Sequence, residues 1–341
     1  MSKASLTNGD ASNVAKDEII LLDGGFASQL SCHVNDPIDG HALWSSRFLA
    51  TDPEAVVQTH LDFLTAGAQV ILTNTYQASV GGFSEHLNLS EEDSLALIKK
   101  AVQLANTALT RYLAEFPDQP ERKPVIAGSI GPYGASLHDA SEYNGSYAAI
   151  TSTGKMREWH LPRMRALIEE GVTLLALETI PCRAEAEMLV ELIKEFPHVK
   201  AWLTFTCRED EKSIASGEPF QETARKCYEM NPKQLIAVGV NCLAPRLVEC
   251  LFEGINDDPK KPKIPLIVYP NSGESYNVEQ GEHYRWINRD KCEPVETYVH
   301  KWLDMGVRFL GGCCRTYAAD VSRIRNEIGK WERLHGRVRL T

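Results

Sequence analysis

Gly67-Ala68-Gln69-Val70-Ile71-Leu72-Thr73-Asn74 reads as a helix-ending glycine, a short spacer, an apolar strand and a polar end. The same form recurs in Gly171-Val172-Thr173-Leu174-Leu175-Ala176-Leu177-Glu178 and in Gly306-Val307-Arg308-Phe309-Leu310-Gly311-Gly312-Cys313. Each time the polar residue falls seven positions after the glycine. Equivalent strands would bring Asn74, Glu178 and Cys313 to similar heights at one end of a shared sheet, a placement that a register slip of one residue would destroy.

The same rhythm runs through the rest of the chain. Apolar runs at Glu18–Gly25, Pro124–Ser129, Ala201–Thr206, Leu235–Cys242 and Pro265–Pro270 supply five further strands. Amphipathic helices alternate with them: Asp52 caps one that begins at Pro53, Ser90 starts a long one, and Val321, Ile324, Ile328 and Trp331 form the face of the last. Continuous apolar strands alternating with helices imply a parallel sheet covered on its outer face. Eight such units imply a single (β/α)8 TIM barrel, with its chemistry at the carboxyl ends of the strands. Two rim insertions interrupt the pattern. The stretch from about 133 to 155 carries Tyr143 and Tyr147 and reads as a lid that closes over substrate. The other, roughly 273 to 292, carries Tyr276, Tyr284 and Trp286.

The chain has 341 residues, 43% of them hydrophobic, and a formal net charge of −10. That charge disfavours nucleic acid or an anionic membrane as partner. No apolar stretch approaches the roughly 20 residues of a membrane span. Residues 1–17 are polar and read as a disordered leader, leaving 18–341 as the barrel domain. Nine cysteines without a secretion signal fit a reduced, cytoplasmic protein.

Three of those cysteines fall at strand ends in a suggestive way. Cys242 ends one apolar run; Cys313 and Cys314, 71 residues on, follow the two glycines that end another. Three thiolates bind Zn2+ and leave a fourth tetrahedral position open for a soft external ligand such as a substrate sulfur. The same residues also suit inert packing, since a buried thiol is a small apolar group, or a redox or structural-metal role. Adjacent cysteines are poorly placed for an ordinary disulfide. Asp23 and Glu178 are strand-end acids fit for a substrate ammonium or for a salt bridge. The backbone N–H groups of Gly24 and Gly25 suit a carboxylate or merely a turn. Trp44, Tyr143 and Tyr147 suit a pocket wall, where Trp44 could face a sulfonium cation, or core packing. The ten histidines show no metal-ligand spacing, and there is no Walker or Rossmann glycine motif.

Taken together, Leu22-Asp23-Gly24-Gly25, Leu43-Trp44-Ser45, Thr73-Asn74-Thr75-Tyr76-Gln77-Ala78, Gly128–Gly134, Glu178-Thr179-Ile180-Pro181, Gly239-Val240-Asn241-Cys242, Tyr269–Glu274 and Gly311–Thr316 resemble the homocysteine S-methyltransferases that use S-methylmethionine or S-adenosylmethionine. The resemblance runs over roughly residues 18–331. It implies a TIM barrel, zinc on Cys242, Cys313 and Cys314, and homocysteine held by Asp23 and Glu178 near Gly24 and Gly25. Trp44 and Asn241 complete the expected substrate-binding set, with no catalytic residue beyond the zinc site. The implied reaction is attack of the homocysteine thiolate on the donor methyl, giving methionine, with small-molecule substrates as the only partners and a monomer or homodimer as the assembly. Betaine-using relatives carry an extra aromatic after the second strand and a longer C-terminal arm. Gln77 after Tyr76, and the short segment after the last helix, therefore point to a sulfonium donor. A selenocysteine-directed methyltransferase would share every motif.

Overall fold

The computed structural model describes residues 18–117, 123–277 and 285–336. The leader assigned to 1–17 and Tyr284 lie outside them. Eight parallel strands make one sheet: β1 Ile20–Leu21, β2 Val70–Leu72, β3 Val125–Ile130, β4 Leu174–Ile180, β5 Lys200–Phe205, β6 Leu235–Asn241, β7 Leu266–Tyr269 and β8 Val307–Leu310. Sequence neighbours pair from β2 through to β7; β8 pairs with β7 and with β1. A bridge between Leu22 and Val70, with the Asp23 N–H donating to the Val70 carbonyl at 3.0 Å, brings β1 back to β2. The sheet thus closes into the barrel read from the sequence.

The repeat that decided the fold has a physical cause. Gly67, Gly171 and Gly306 all take left-handed backbone, φ 102°, 97° and 94°, to leave a helix and enter a strand. Strand residues then alternate between two cores. Ile20, Leu22, Val70, Val125, Leu174, Ala176, Trp202, Ile267 and Phe309 fill the barrel interior, while Leu21, Ile71, Ile126, Leu175, Leu203, Val238, Leu266 and Leu310 face the helices. Asp52 caps the helix Pro53–Ala66 as expected, its Oδ1 accepting from the Ala55 N–H at 3.1 Å.

Gly239 in β6 shows how tightly the strands nest. A Cβ there would lie 1.8 Å from the Ile267 carbonyl oxygen, a backbone atom that cannot swing aside. Gly239→Ala is expected to destabilise the fold by about 3 kcal/mol or more, read as a lowered denaturation midpoint at unchanged slope. A loss under 0.5 kcal/mol would show that β6 and β7 separate freely.

Elements absent from the sequence reading are small. Val80–Leu87 is an additional helix, capped by Ser79 accepting from the Gly82 N–H; Gly81 and Gly82 in its first turn mask its periodicity. The second insertion holds a two-stranded antiparallel hairpin, Ser275–Asn277 with Arg285–Ile287. The first folds into three short 3-10 turns between Tyr133 and Ala149.

Candidate active site

The strand ends enclose a cavity of about 680 Å³, open to solvent and lined by Asp23, Asn74, Glu178, Cys242, Cys313 and Cys314 among others. Asn74, Glu178 and Cys313, the three ends of the repeat, therefore do converge on one pocket.

The three sulfurs lie within 4.8 Å of one another, with Cys242 and Cys314 Sγ 3.6 Å apart. A tetrahedral zinc with bonds of about 2.3 Å sets its sulfur ligands roughly 3.8 Å apart, so the arrangement fits such an ion and is too wide for a disulfide. All nine cysteines are free thiols. Three thiolates this close repel one another unless a cation joins them. Cys242 takes the charge, its ionised form favoured by hydrogen bonds from the Cys313 and Cys314 thiols. That same anion, with burial, pushes Cys313 and Cys314 upward. Backbone bonds fix the thiol-bearing loop: the Cys313 N–H donates to the Pro270 carbonyl at 2.7 Å, and the Cys314 carbonyl accepts from the Ser272 N–H at 3.1 Å. Arg315, next in the chain, reaches Glu274 Oε2 at 3.3 Å.

Two acids face the sulfurs from other strands. Asp23 is buried, and burial raises its pKa although the Leu72 N–H donates to Oδ2 at 2.7 Å. Burial likewise pushes Glu178 up to about 7, against hydrogen bonds from Ser129 and Tyr269 that lower it. Tyr269 is in turn held from inside the barrel, accepting from Trp202 Nε1 at 3.0 Å and lying 2.8 Å from Thr204 Oγ1. Both carboxyls are costly to ionise unless a cation approaches, as expected of groups waiting for an ammonium.

The remaining assignments divide. Trp44 lines the pocket in left-handed backbone, φ 45°, with Nε1 donating to Asp39 Oδ1 at 3.0 Å and its ring edge-on to Tyr76. Tyr143 also lines it, its hydroxyl 3.8 Å from Cys242 Sγ. Tyr147 does not: it is buried below the loop, bonded to Glu185, which also accepts from the Tyr133 N–H at 2.7 Å and pairs with His160. The Gly25 N–H is already committed to the Thr316 carbonyl and hydroxyl at 2.9 and 3.1 Å, which leaves Gly24 as a donor that meets no protein acceptor among the described residues.

Asn241 lies beneath the pocket rather than in its wall. Its Oδ1 accepts from the Thr179 N–H at 2.7 Å and its Nδ2 donates to Thr179 Oγ1 at 2.8 Å. Thr179 and Cys242 both take left-handed backbone, φ 59° and 52°, an unfavourable conformation for non-glycine residues and especially for a β-branched one. The Asn241 amide thus ties the turn after Glu178 to the turn at Cys242. The wall residues Phe26 and Ser28 carried no sequence signal; Ser129 and Thr179 stood within quoted motifs but had no role of their own there, since only tertiary folding turns them toward the cavity.

Comparison with known proteins gives a consistent picture. A family model described as homocysteine S-methyltransferase matches residues 20–328. The chain is 46% identical over 317 residues to the betaine-homocysteine S-methyltransferase of Drosophila melanogaster, covering 91% of this chain and 94% of that one. It is 38% identical over 314 residues to the homocysteine S-methyltransferase of Escherichia coli, covering 91% and 95%. The crystal structure of the metallated form of the homocysteine methyltransferase MmuM from Escherichia coli superposes with a TM-score of 0.77 at 35% identity, over 91% of this chain and 96% of that one.

Proposed function

The chain belongs to the homocysteine S-methyltransferase family, and from that premise we propose that it transfers a methyl group from a sulfonium donor, S-methylmethionine or S-adenosylmethionine, to the sulfur of homocysteine. The observation that supports this reading is the convergence of three sulfurs with two buried acids on one small cavity. Cys242, Cys313 and Cys314 would hold zinc; when bound, it supplies the Lewis acidity that keeps a substrate thiol deprotonated at neutral pH.

The protein's own residues do the rest. Asp23 and Glu178 take the homocysteine ammonium, and the Gly24 N–H takes its carboxylate. The thiol end of the substrate is thereby aimed at the cysteine cluster. Trp44, Tyr76 and Tyr143 present aromatic faces and edges to an onium cation. In the transfer the carbon–sulfonium bond breaks as the new carbon–sulfur bond forms, the donor leaves as a neutral thioether, and the homocysteine proton passes to solvent. Alignment of two bound substrates replaces any covalent intermediate on the protein. Free cysteines suit a reducing, cytoplasmic setting. Among the described residues no helix is long and apolar enough to cross a membrane.

Betaine is the second donor to weigh, because the relative at 46% identity is named for it. The position after Tyr76 argues for the sulfonium: Gln77 donates to the Ala42 and Ala135 carbonyls at 3.2 and 2.9 Å and braces the rim instead of adding an aromatic face. The test is methionine formation by zinc-loaded protein from homocysteine, with S-methylmethionine, S-adenosylmethionine and betaine supplied in parallel. Turnover is expected with a sulfonium donor and to be at least tenfold slower with betaine. The reverse order would reassign the donor.

A further inference from the structure

The three clustered sulfurs come from two segments, one after β6 and one after β8, and the strand between them in the sheet is β7. Past the end of β7 the chain bonds to both. On one side the Tyr269 carbonyl accepts from the Cys242 N–H at 3.1 Å, and the Asn271 N–H donates to the Leu243 carbonyl at 3.0 Å. On the other the Pro270 carbonyl accepts from the Cys313 N–H at 2.7 Å, and the Ser272 N–H donates to the Cys314 carbonyl at 3.1 Å. The strand ladders end at Asn241 and Leu310, short of all three cysteines. The segment 269–274 therefore sets how far Cys242 stands from Cys313 and Cys314.

Side chains lock that segment in turn. Gly273 takes left-handed backbone, φ 84°, with its N–H on Asn271 Oδ1 at 2.8 Å. The Ser272 hydroxyl donates to Glu274 Oε2 at 2.7 Å, and Arg315 Nε donates to the same oxygen at 3.3 Å. Because Arg315 follows Cys314, these contacts close a ring from the Cys314 carbonyl through Ser272 and Glu274 back to Arg315. Arg315 itself has left-handed backbone, φ 63°, with its N–H on Ser28 Oγ at 2.8 Å and its guanidinium on the Tyr317 hydroxyl at 2.9 Å. The Glu274 side chain is only 3% exposed. A buried carboxylate and a strained arginine persist only where their surroundings fix them. Neither residue lines the cavity, so substrate contact does not account for them.

We propose that Glu274 and Arg315 latch the metal site, holding the segment 269–274 as the template that keeps the three sulfurs at the spacing of one ion. The inference rests on the zinc reading above and deepens it. Both are positioning residues, acting on the cysteines through the backbone. Partners behind metal ligands typically contribute about tenfold to a hundredfold in metal affinity, because ligands already in place lose less freedom when the ion binds.

The experiment measures zinc dissociation constants on reduced, full-length protein by competition with a chromophoric chelator. Wild type is compared with Glu274→Gln, Arg315→Gln and the double variant. Each single change is expected to weaken zinc binding by about tenfold to a hundredfold. The double variant should match the weaker single one, since either change opens the same ring. Arg315→Lys, which keeps the charge without the planar fork, should recover part of the loss. Co2+ bound in place of zinc gives a second readout: its sulfur-to-metal absorption should report a tetrahedral site in wild type and shift in the variants at saturating metal. Melting midpoints of the metal-free proteins should stay within a few degrees of one another. Zinc affinities within twofold of wild type, or losses that add in the double variant, overturn the latch. So does a lowered metal-free midpoint with unchanged zinc affinity, which would make the pair merely structural. If Glu274→Gln does not fold, the Arg315 variants decide by the same affinities, because that side chain is 36% exposed and leaves no buried hole. Wild-type zinc binding that is indifferent to Cys313→Ala overturns the zinc reading beneath the inference, and that variant, measured alongside, shows it separately.

Discussion

Cys313→Ala is expected to abolish methionine formation, with a fall of at least about 10³-fold, and to remove stoichiometric zinc, while the barrel melts within a few degrees of wild type. The three sulfurs are spaced for one ion, and two of them do not make a site that retains it against dilution. The fold should survive because Cys313 lies beyond the end of β8, after Gly311 and Gly312, and its N–H bond to the Pro270 carbonyl is a backbone interaction. Zinc analysis after gel filtration and a homocysteine-dependent assay make the measurement. Cys250→Ala is the control, since that thiol is exposed and away from the pocket, and it should lose neither metal nor rate. Full activity in metal-free Cys313→Ala protein would refute the zinc mechanism.

Glu178→Gln should weaken homocysteine binding and strengthen the fold at the same time. Loss of the ammonium's charged partner should raise homocysteine KM by about tenfold to a hundredfold. The stability effect follows from the carboxyl's shift, from 4.5 to about 7 on burial. Between those values the folded chain keeps a proton that the unfolded chain has released. Stability is therefore fully present below pH 4.5 and is lost as pH rises through about 7. Glutamine removes that penalty, worth up to about 3 kcal/mol, and still accepts from Ser129. Thermal midpoints of the two proteins should nearly coincide at pH 5, and the variant should melt several degrees higher at pH 8. A variant less stable than wild type at pH 8 would show that Glu178 is already paired as a carboxylate in the folded protein. Together the two results would mark Glu178 as a residue that costs stability in return for function.

Much of this was legible from residue order. Left-handed glycine exits followed by apolar runs recur because each strand must leave its helix the same way, so the barrel and the rim positions of Asn74, Glu178 and Cys313 followed from spacing. Cys242, Cys313 and Cys314 stood out by their places at strand ends, and the motif resemblance chose a zinc role for them over inert packing; the structure brings the three sulfurs together. What could not be read was how polar groups choose partners across the sheet. The sequence does not show that the amide of Asn241 faces Thr179, since their separation is 62 residues and the pairing depends on two adjacent left-handed turns. Nor does it show that Thr316 takes up the Gly25 N–H, or that Tyr147 turns under the loop while Tyr143 turns over it. Those outcomes depend on side-chain packing at loop ends, where no periodicity operates.

The seam of the barrel has a consequence for how the protein is made. Leu22 donates to the Leu310 carbonyl at 2.6 Å and Gly312 to the Asp23 carbonyl at 2.9 Å, so the first and last strands meet only when the chain is nearly complete. On the ribosome Asp23 emerges well before β8, and two of the three clustered sulfurs emerge after it. A nascent chain that has exposed every strand but β8 has Cys242 alone and two unpaired sheet edges, on β1 and β7. A metal site that needs all three sulfurs would therefore form only once β8 has docked, and a chain cut ahead of Cys313 would keep one of the three sulfurs and leave the β1 and β7 edges open to edge-to-edge association.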